Sequence, residues 1–93
     1  MDVVVEFRMP GMQERWLIWQ LHLPPDHRVG HVWLQEAAVR CTVSGGQIRN
    51  AVLHASLLAL DEGRQVSTEH VEIALHREYR KAGAVCPLPR AGG

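Results

Sequence analysis

The stretch best suited to chemistry is Ser44-Gly45-Gly46-Gln47-Ile48-Arg49-Asn50, which leads into a largely apolar run from Ala51 to Leu60. Read as a helix start, Ser44 supplies the hydroxyl of an N-cap, able to accept from an orphan backbone N–H of the first turn. Gln47, three residues on, can reach back to the Ser44 N–H and complete a capping box. Gly45 and Gly46 do nothing for the helix, because glycine costs about 1 kcal/mol against alanine in a helix interior. At a helix start that cost is smaller, and the missing side chains let a ligand or another backbone come close. Arg49 then lies at the positive end of the helix dipole, which disfavours a cation by roughly a few tenths of a kcal/mol. Two readings of Arg49 stand on these residues. It is either a solvated arginine on an ordinary capped helix or a guanidinium placed to meet an anion.

Other reactive residues are spaced less favourably. The chain has six histidines. His27 and His31 are four apart with His22 near, but Pro24-Pro25 and Gly30 interrupt any common helix. His70 and His76 do not share a helical face, and no carboxylate or cysteine stands at ligand spacing, so no metal site is expected. Ser44 is explained as a cap, and Cys41 falls on an apolar helical stripe, where a thiol is inert. A Gly-x-x-x-x-Gly-Lys phosphate loop is absent. The sequence therefore carries no catalytic residue able to act unaided.

The elements that must position these residues read as helices. Met12 to Leu23 forms the first, with Met12, Trp16, Trp19 and Leu23 on one apolar stripe and Leu17 and Leu21 on a second. Pro24-Pro25 ends it. After a loop from Asp26 to Gly30, Val32 to Cys41 forms the second, whose Leu34, Ala37, Ala38 and Cys41 share a face. The third starts at the Ser44 cap and runs to about Glu62, with Gly63 as its C′ residue. Its Ile48, Val52, Ala55 and Ala59 make one apolar face, and Leu53, Leu57 and Leu60 another, so burial on two sides is expected. After a brief Gln65-Val66 link, Ser67 caps the fourth helix. Its buried stripe is expected to comprise Val71, Ala74, Leu75, Tyr79 and Ala82, and Gly83 closes it.

Val3-Val4-Val5-Glu6-Phe7 reads as a short strand ahead of these helices, although one strand cannot make a sheet. The expected organisation is a strand and connector over 1–9, a helical domain over 10–83 and a flexible Pro/Gly-rich tail over 84–93. The fold class is all-α, a four-helix bundle. Ninety-three residues, nearly half of them hydrophobic, suffice for one small packed domain. Ten basic and ten acidic residues cancel, which favours neither a nucleic acid nor a membrane surface as partner. Two cysteines, no long apolar run and no signal-peptide pattern point to a reduced, cytoplasmic protein.

Ser44 to Val52, followed by Ser67 to Gly83 with its Arg77-Glu78-Tyr79-Arg80-Lys81 ending, resembles the small helical lid subdomain of AAA+ ATPases. Val5-Glu6-Phe7 with Pro10, Arg15, Ile18-Trp19 and His22-Leu23-Pro24 resembles that family's passage from the last core strand into the first lid helix. Within the family, the chain is most similar to the ATPase of phage-tail-like contractile injection systems. The resemblance covers roughly residues 3 to 83. It implies that Gly45, Gly46 and Gln47 border the nucleotide, with the two glycines approaching adenine and ribose. It also implies that Arg49 is the second sensor, reaching the γ-phosphate of ATP. Implied too are ATP with Mg in a full-length parent and none required by the lid alone, an upstream nucleotide-binding subdomain, and neighbouring subunits in a homo-oligomeric ring such as a hexamer. Many members carry a small residue where Arg49 stands, so the role of Arg49 depends on the branch. The rival expectation is a helical interaction module binding protein or DNA without nucleotide, because Gly45 to Ala82 also resembles half of a histone fold.

Overall fold

The structure, a computed structural model, describes residues 10–88. Within them the chain forms α1 (Met12–His22), α2 (His31–Arg40), α3 (Gly45–Asp61) and α4 (Thr68–Lys81). The architecture is all-α, with no strand among the described residues. The strand expected at Val3–Phe7 lies outside them. Helix limits follow local chemistry. Both α3 and α4 end in a glycine at positive φ, Gly63 and Gly83, a conformation that side chains with a Cβ rarely adopt. In each case two backward bonds close the last turn: Gly63 N–H to Leu60 O and Arg64 N–H to Ala59 O, then Gly83 N–H to Arg80 O and Ala84 N–H to Tyr79 O. These are Schellman caps, and they satisfy carbonyls the helix leaves orphaned.

α3 holds the domain together, packing most extensively on α4 and also on α1, which in turn packs on α2. Its buried face is Ile48, Val52, Ala55 and Ala59, joined by Ala51. The small alanines let α4 approach with Val71, Ala74 and Leu75. On α2, Leu34, Ala37, Ala38 and the following Cys41 are all buried, as their spacing predicts. Elsewhere the apolar rows outnumber the surfaces available to cover them. Leu53, Leu57 and Leu60 are exposed, the last at 76%, so α3 is buried on one side only. Leu17 and Leu21 of α1 are exposed as well, as is Ala82 beyond α4. Four short helices cannot cover two faces of each member. The Pro/Gly content reads as loose from Ala84 onward, yet within 84–88 both Cys86 and Leu88 are buried against the core.

The stripe of α1 is rotated from its expected phase. Trp19 and Leu23 are buried, Trp16 is half-buried and Met12 is exposed. The inward position one turn before Trp19 belongs to Arg15, only 6% exposed. Its Nε donates to Ala38 O at 2.7 Å and Nη2 to Val39 O at 3.3 Å, while Nη1 donates to Pro10 O at 2.7 Å. Ala38 and Val39 are in the last turn of α2, where carbonyls are orphaned and the dipole is negative, so the buried charge is matched without a carboxylate. Arg15→Lys keeps the charge and loses the fork. It should cost roughly 1–2 kcal/mol in urea denaturation, and a loss under about 0.5 kcal/mol would mean the fork contributes nothing.

The connection between α1 and α2 is tied to the connection between α3 and α4 and to the first residue of α4. Arg28 N–H donates to Val66 O, Gly30 N–H to Thr68 Oγ1, and Arg28 Nε to Gln65 Oε1. At the start of α4, the fully buried His70 accepts the Ser67 N–H at Nδ1, as a glutamate would in a capping box. That leaves Nε2 to carry the proton and donate to Glu62 Oε1 at 2.9 Å. This hydrogen bond holds the Glu62 carboxyl below its usual range. On the far side of α3, Arg77 Nη1 donates to His54 Nδ1 at 2.8 Å, which requires that nitrogen to be unprotonated. Desolvation, then the Arg77 charge, lowers the His54 pKa from 6.5. Because the folded value lies below the unfolded one, neutral His54 adds stability above pH 6.5 that is lost as pH falls through the folded pKa. The urea midpoint should therefore drop between about pH 7 and about pH 5. His54→Gln, an acceptor that does not titrate, should flatten part of that drop. Identical profiles for the two proteins would exclude the contact.

Candidate functional site

At the start of α3 the expected capping box is formed. Gln47 N–H donates to Ser44 Oγ at 3.1 Å, and Ser44 N–H donates to Gln47 Oε1 at 2.8 Å. Gln47 therefore has its carbonyl committed to the helix. Gly45 and Gly46 are the first two helical residues, and neither has positive φ. A Cβ on Gly45 would come within 3.6 Å of Ile18 Cδ1, an ordinary contact, and one on Gly46 would lie 3.9 Å from Ser44 Oγ. Packing among the described residues thus requires neither glycine, and both lower helix propensity.

Arg49 stands one turn beyond them. Side chains on a helix lean toward its N-terminus, and residues three and four apart share a face. Arg49 therefore projects over the strip that Gly45 and Gly46 leave bare. It is exposed, and its guanidinium has no hydrogen-bond or ion-pair partner among the described residues. The stem borders a cleft of about 290 Å³ lined also by His22, Val52, Leu53 and Ser56, so the end of α1 forms its opposite wall. What these groups offer is an unpaired planar cation, an imidazole, a hydroxyl and open backbone. That combination suits an anion carried on a larger, partly apolar molecule.

The remaining reactive groups are held in structural contacts. His27 accepts the Val29 N–H at Nδ1, and His31 lies edge-on to Trp16 with ring centroids 5.0 Å apart. No three His, Cys, Asp or Glu residues are grouped as metal ligands among the described residues. A depression of about 330 Å³ between α1 and α2, lined by Met12, Trp16 and Val39 among others, contains no charged group. Burial pushes the Cys41 thiol up to about 12, which keeps it protonated. No helix among the described residues is long and apolar enough to cross a membrane. No family model matches this chain, and no curated protein matches it.

Proposed function

We propose that this chain is the helical lid of a ring-forming AAA+ ATPase and that the start of α3 is its nucleotide-facing element. One observation carries the reading: among the described residues, two glycines that no packing contact requires lie directly beneath an arginine with no hydrogen-bond or ion-pair partner. A helix start that sacrifices propensity and leaves a guanidinium unpaired is arranged for something outside the chain. The donors fit the phosphate end of a nucleotide. They do not fit its Mg ion, which would be bound by the upstream subdomain together with most of the phosphate affinity. Arg49 then gains charge-assisted hydrogen bonds to the terminal phosphate, Gly45 and Gly46 admit the sugar and base, and lid orientation follows nucleotide state. A cytoplasmic ring of like subunits is the corresponding assembly. The exposed Leu53, Leu57 and Leu60 favour a second reading, an interaction module that binds a protein partner without nucleotide.

The test is an amide NMR titration of the chain with Mg-ATP and with ADP. Expected are shifts confined to Gly45, Gly46, Gln47 and Arg49, half-saturating near about 1 mM, an affinity of roughly −4 kcal/mol, with no turnover. Shifts elsewhere, or none, would remove the reading. Gly45→Ala and Gly46→Ala sharpen it, because alanine fits both sites. Each variant should raise stability by up to about 1 kcal/mol and weaken the ATP shifts. A lower melting temperature in either would make the glycines structural.

A further inference from the structure

Helix α4 opens on a capping box unlike the one at α3. There the third helical residue is Gln47, whose side chain receives the Ser44 N–H. At α4 it is His70, only 1% exposed, which a cap alone does not call for. The Ser67 N–H lies 3.0 Å from His70 Nδ1 and can only donate, so that nitrogen is unprotonated. The Ser67 hydroxyl lies 3.0 Å from the same nitrogen, and toward an unprotonated nitrogen it too must donate. Nε2 carries the ring proton and meets Glu62 Oε1 at 2.9 Å. Arg64 Nη1 donates to the same oxygen at 3.2 Å, and the His70 hydrogen bond holds the carboxyl below its usual range, so it is ionised at neutral pH. Hydroxyl, imidazole and carboxylate thus stand in the order of nucleophile, base and orienter. Ser67 also borders a cavity of about 440 Å³, together with Arg28, Gly63, Arg64 and Gln65. This cluster lies beyond the far end of α3 from Arg49, and the nucleotide reading does not use it.

We infer that Ser67 is an acyl-accepting nucleophile, with His70 as its general base and Glu62 positioning that base, acting on activated esters whose acyl part carries a carboxylate. Ser67 Oγ attacks the ester carbonyl carbon while its proton passes to His70 Nδ1. The ester C–O bond breaks, the acyl group stays on Oγ, and the departing oxygen takes the proton from Nδ1. Water then attacks the acyl carbon and gives a proton to Nδ1, and Oγ leaves and takes that proton back. One water is consumed, an acid and an alcohol are released, and nothing is oxidised. Glu62 acts only through the ring, fixing its tautomer and offsetting the imidazolium that forms in each step. The oxyanion develops at the start of α4, where the first backbone N–H groups have no intrahelical acceptor and the dipole is positive. Arg28 and Arg64 border the same cavity and use one side-chain nitrogen each on Gln65 and Glu62, so both retain donors for the carboxylate of the acyl group. Protonating Nδ1 displaces the Ser67 N–H from it, so each step disturbs the cap and turnover is slow.

The experiment incubates the full chain with the mono-para-nitrophenyl ester of adipic acid, follows nitrophenolate release, and reads intact mass and a peptide map after acid quench. Expected are a single adipyl group on Ser67 and continued release at steady state. Ser67→Asn retains a good cap and should abolish both. His70→Gln recreates the kind of capping box found at α3 and should slow acylation by at least about 100-fold. Both variants should melt close to the parent. Glu62→Gln should lower kcat by about tenfold or more at unchanged KM, a split that a purely structural carboxylate would not produce. Arg28→Gln should raise KM for the adipyl ester by about tenfold and leave that for para-nitrophenyl acetate unchanged. An undiminished rate in Ser67→Asn or His70→Gln would overturn the assignment. So would a wild-type chain with no adduct on Ser67, or with its adduct on another residue, and that result needs no variant to fold.

Discussion

Trp19→Ala is expected to cost roughly 3–5 kcal/mol, the range for emptying a fully enclosed aromatic site. A domain of this size has a total stability of about 5–14 kcal/mol, so the variant should be largely unfolded at physiological temperature. Trp19 is 0% exposed and is the largest fully buried side chain. It sits on the stripe by which α1 faces the core, so its loss opens a cavity that α2 and α3 cannot both move to fill. Trp19→Phe separates packing from polarity. The indole Nε1 is buried with no acceptor among the described residues, so removing it sacrifices no hydrogen bond. That variant should cost about 1 kcal/mol. Trp16, half-buried against His31, should tolerate truncation better than Trp19. Circular dichroism melts of the three variants check the order, and a Trp19→Ala protein that melts like the parent would place the core elsewhere.

The same residue shows which parts of the fold were legible beforehand. Helix limits were, because Ser44, Ser67, Gly63 and Gly83 act locally through caps the sequence alone describes. The face of α2 was legible as well, since Leu34, Ala37, Ala38 and Cys41 leave a single possible phase. The phase of α1 was not. A stripe chosen by hydrophobicity passes through Met12 and Trp16, whereas the buried one passes through Arg15, Trp19 and Leu23. What makes a buried arginine acceptable is a set of carbonyls on Pro10, Ala38 and Val39, and tertiary adjacency creates that set. Trp19 preceded by Arg15 four residues earlier was the available signal. The leucines at 53, 57 and 60 misled for a related reason: periodicity reports that a face is apolar, while burial needs an element to cover it. His70 in place of the usual glutamate in a capping box was similarly hidden, because its second partner, Glu62, comes from the preceding helix end. At the candidate site, the cap and the unpaired arginine are local and legible. The cleft wall supplied by His22 is not, because it depends on how α1 crosses α3.

In the ATPase proposed to contain this lid, Arg49→Ala should slow hydrolysis by roughly 10- to 100-fold and reduce discrimination between ATP and ADP. The magnitude follows from charge-assisted hydrogen bonds worth about 1.5–3 kcal/mol, at about 1.4 kcal/mol per tenfold. Folding should change by less than about 0.5 kcal/mol, because the side chain is exposed and has no partner among the described residues. Arg49→Lys should restore only part of the rate, since a point charge cannot reproduce a planar two-pronged contact. Gln47→Ala probes the same turn from the opposite side. Its carbonyl closes the capping box, so its loss should lower stability by about 1 kcal/mol while leaving nucleotide discrimination alone. Measured side by side, the two alanine variants should separate, one losing rate at constant melting temperature and the other losing melting temperature at nearly constant rate. If Arg49→Ala instead melts far lower and hydrolyses ATP normally, the arginine is structural. The bare glycines beneath it would then have to be explained by a partner other than a nucleotide.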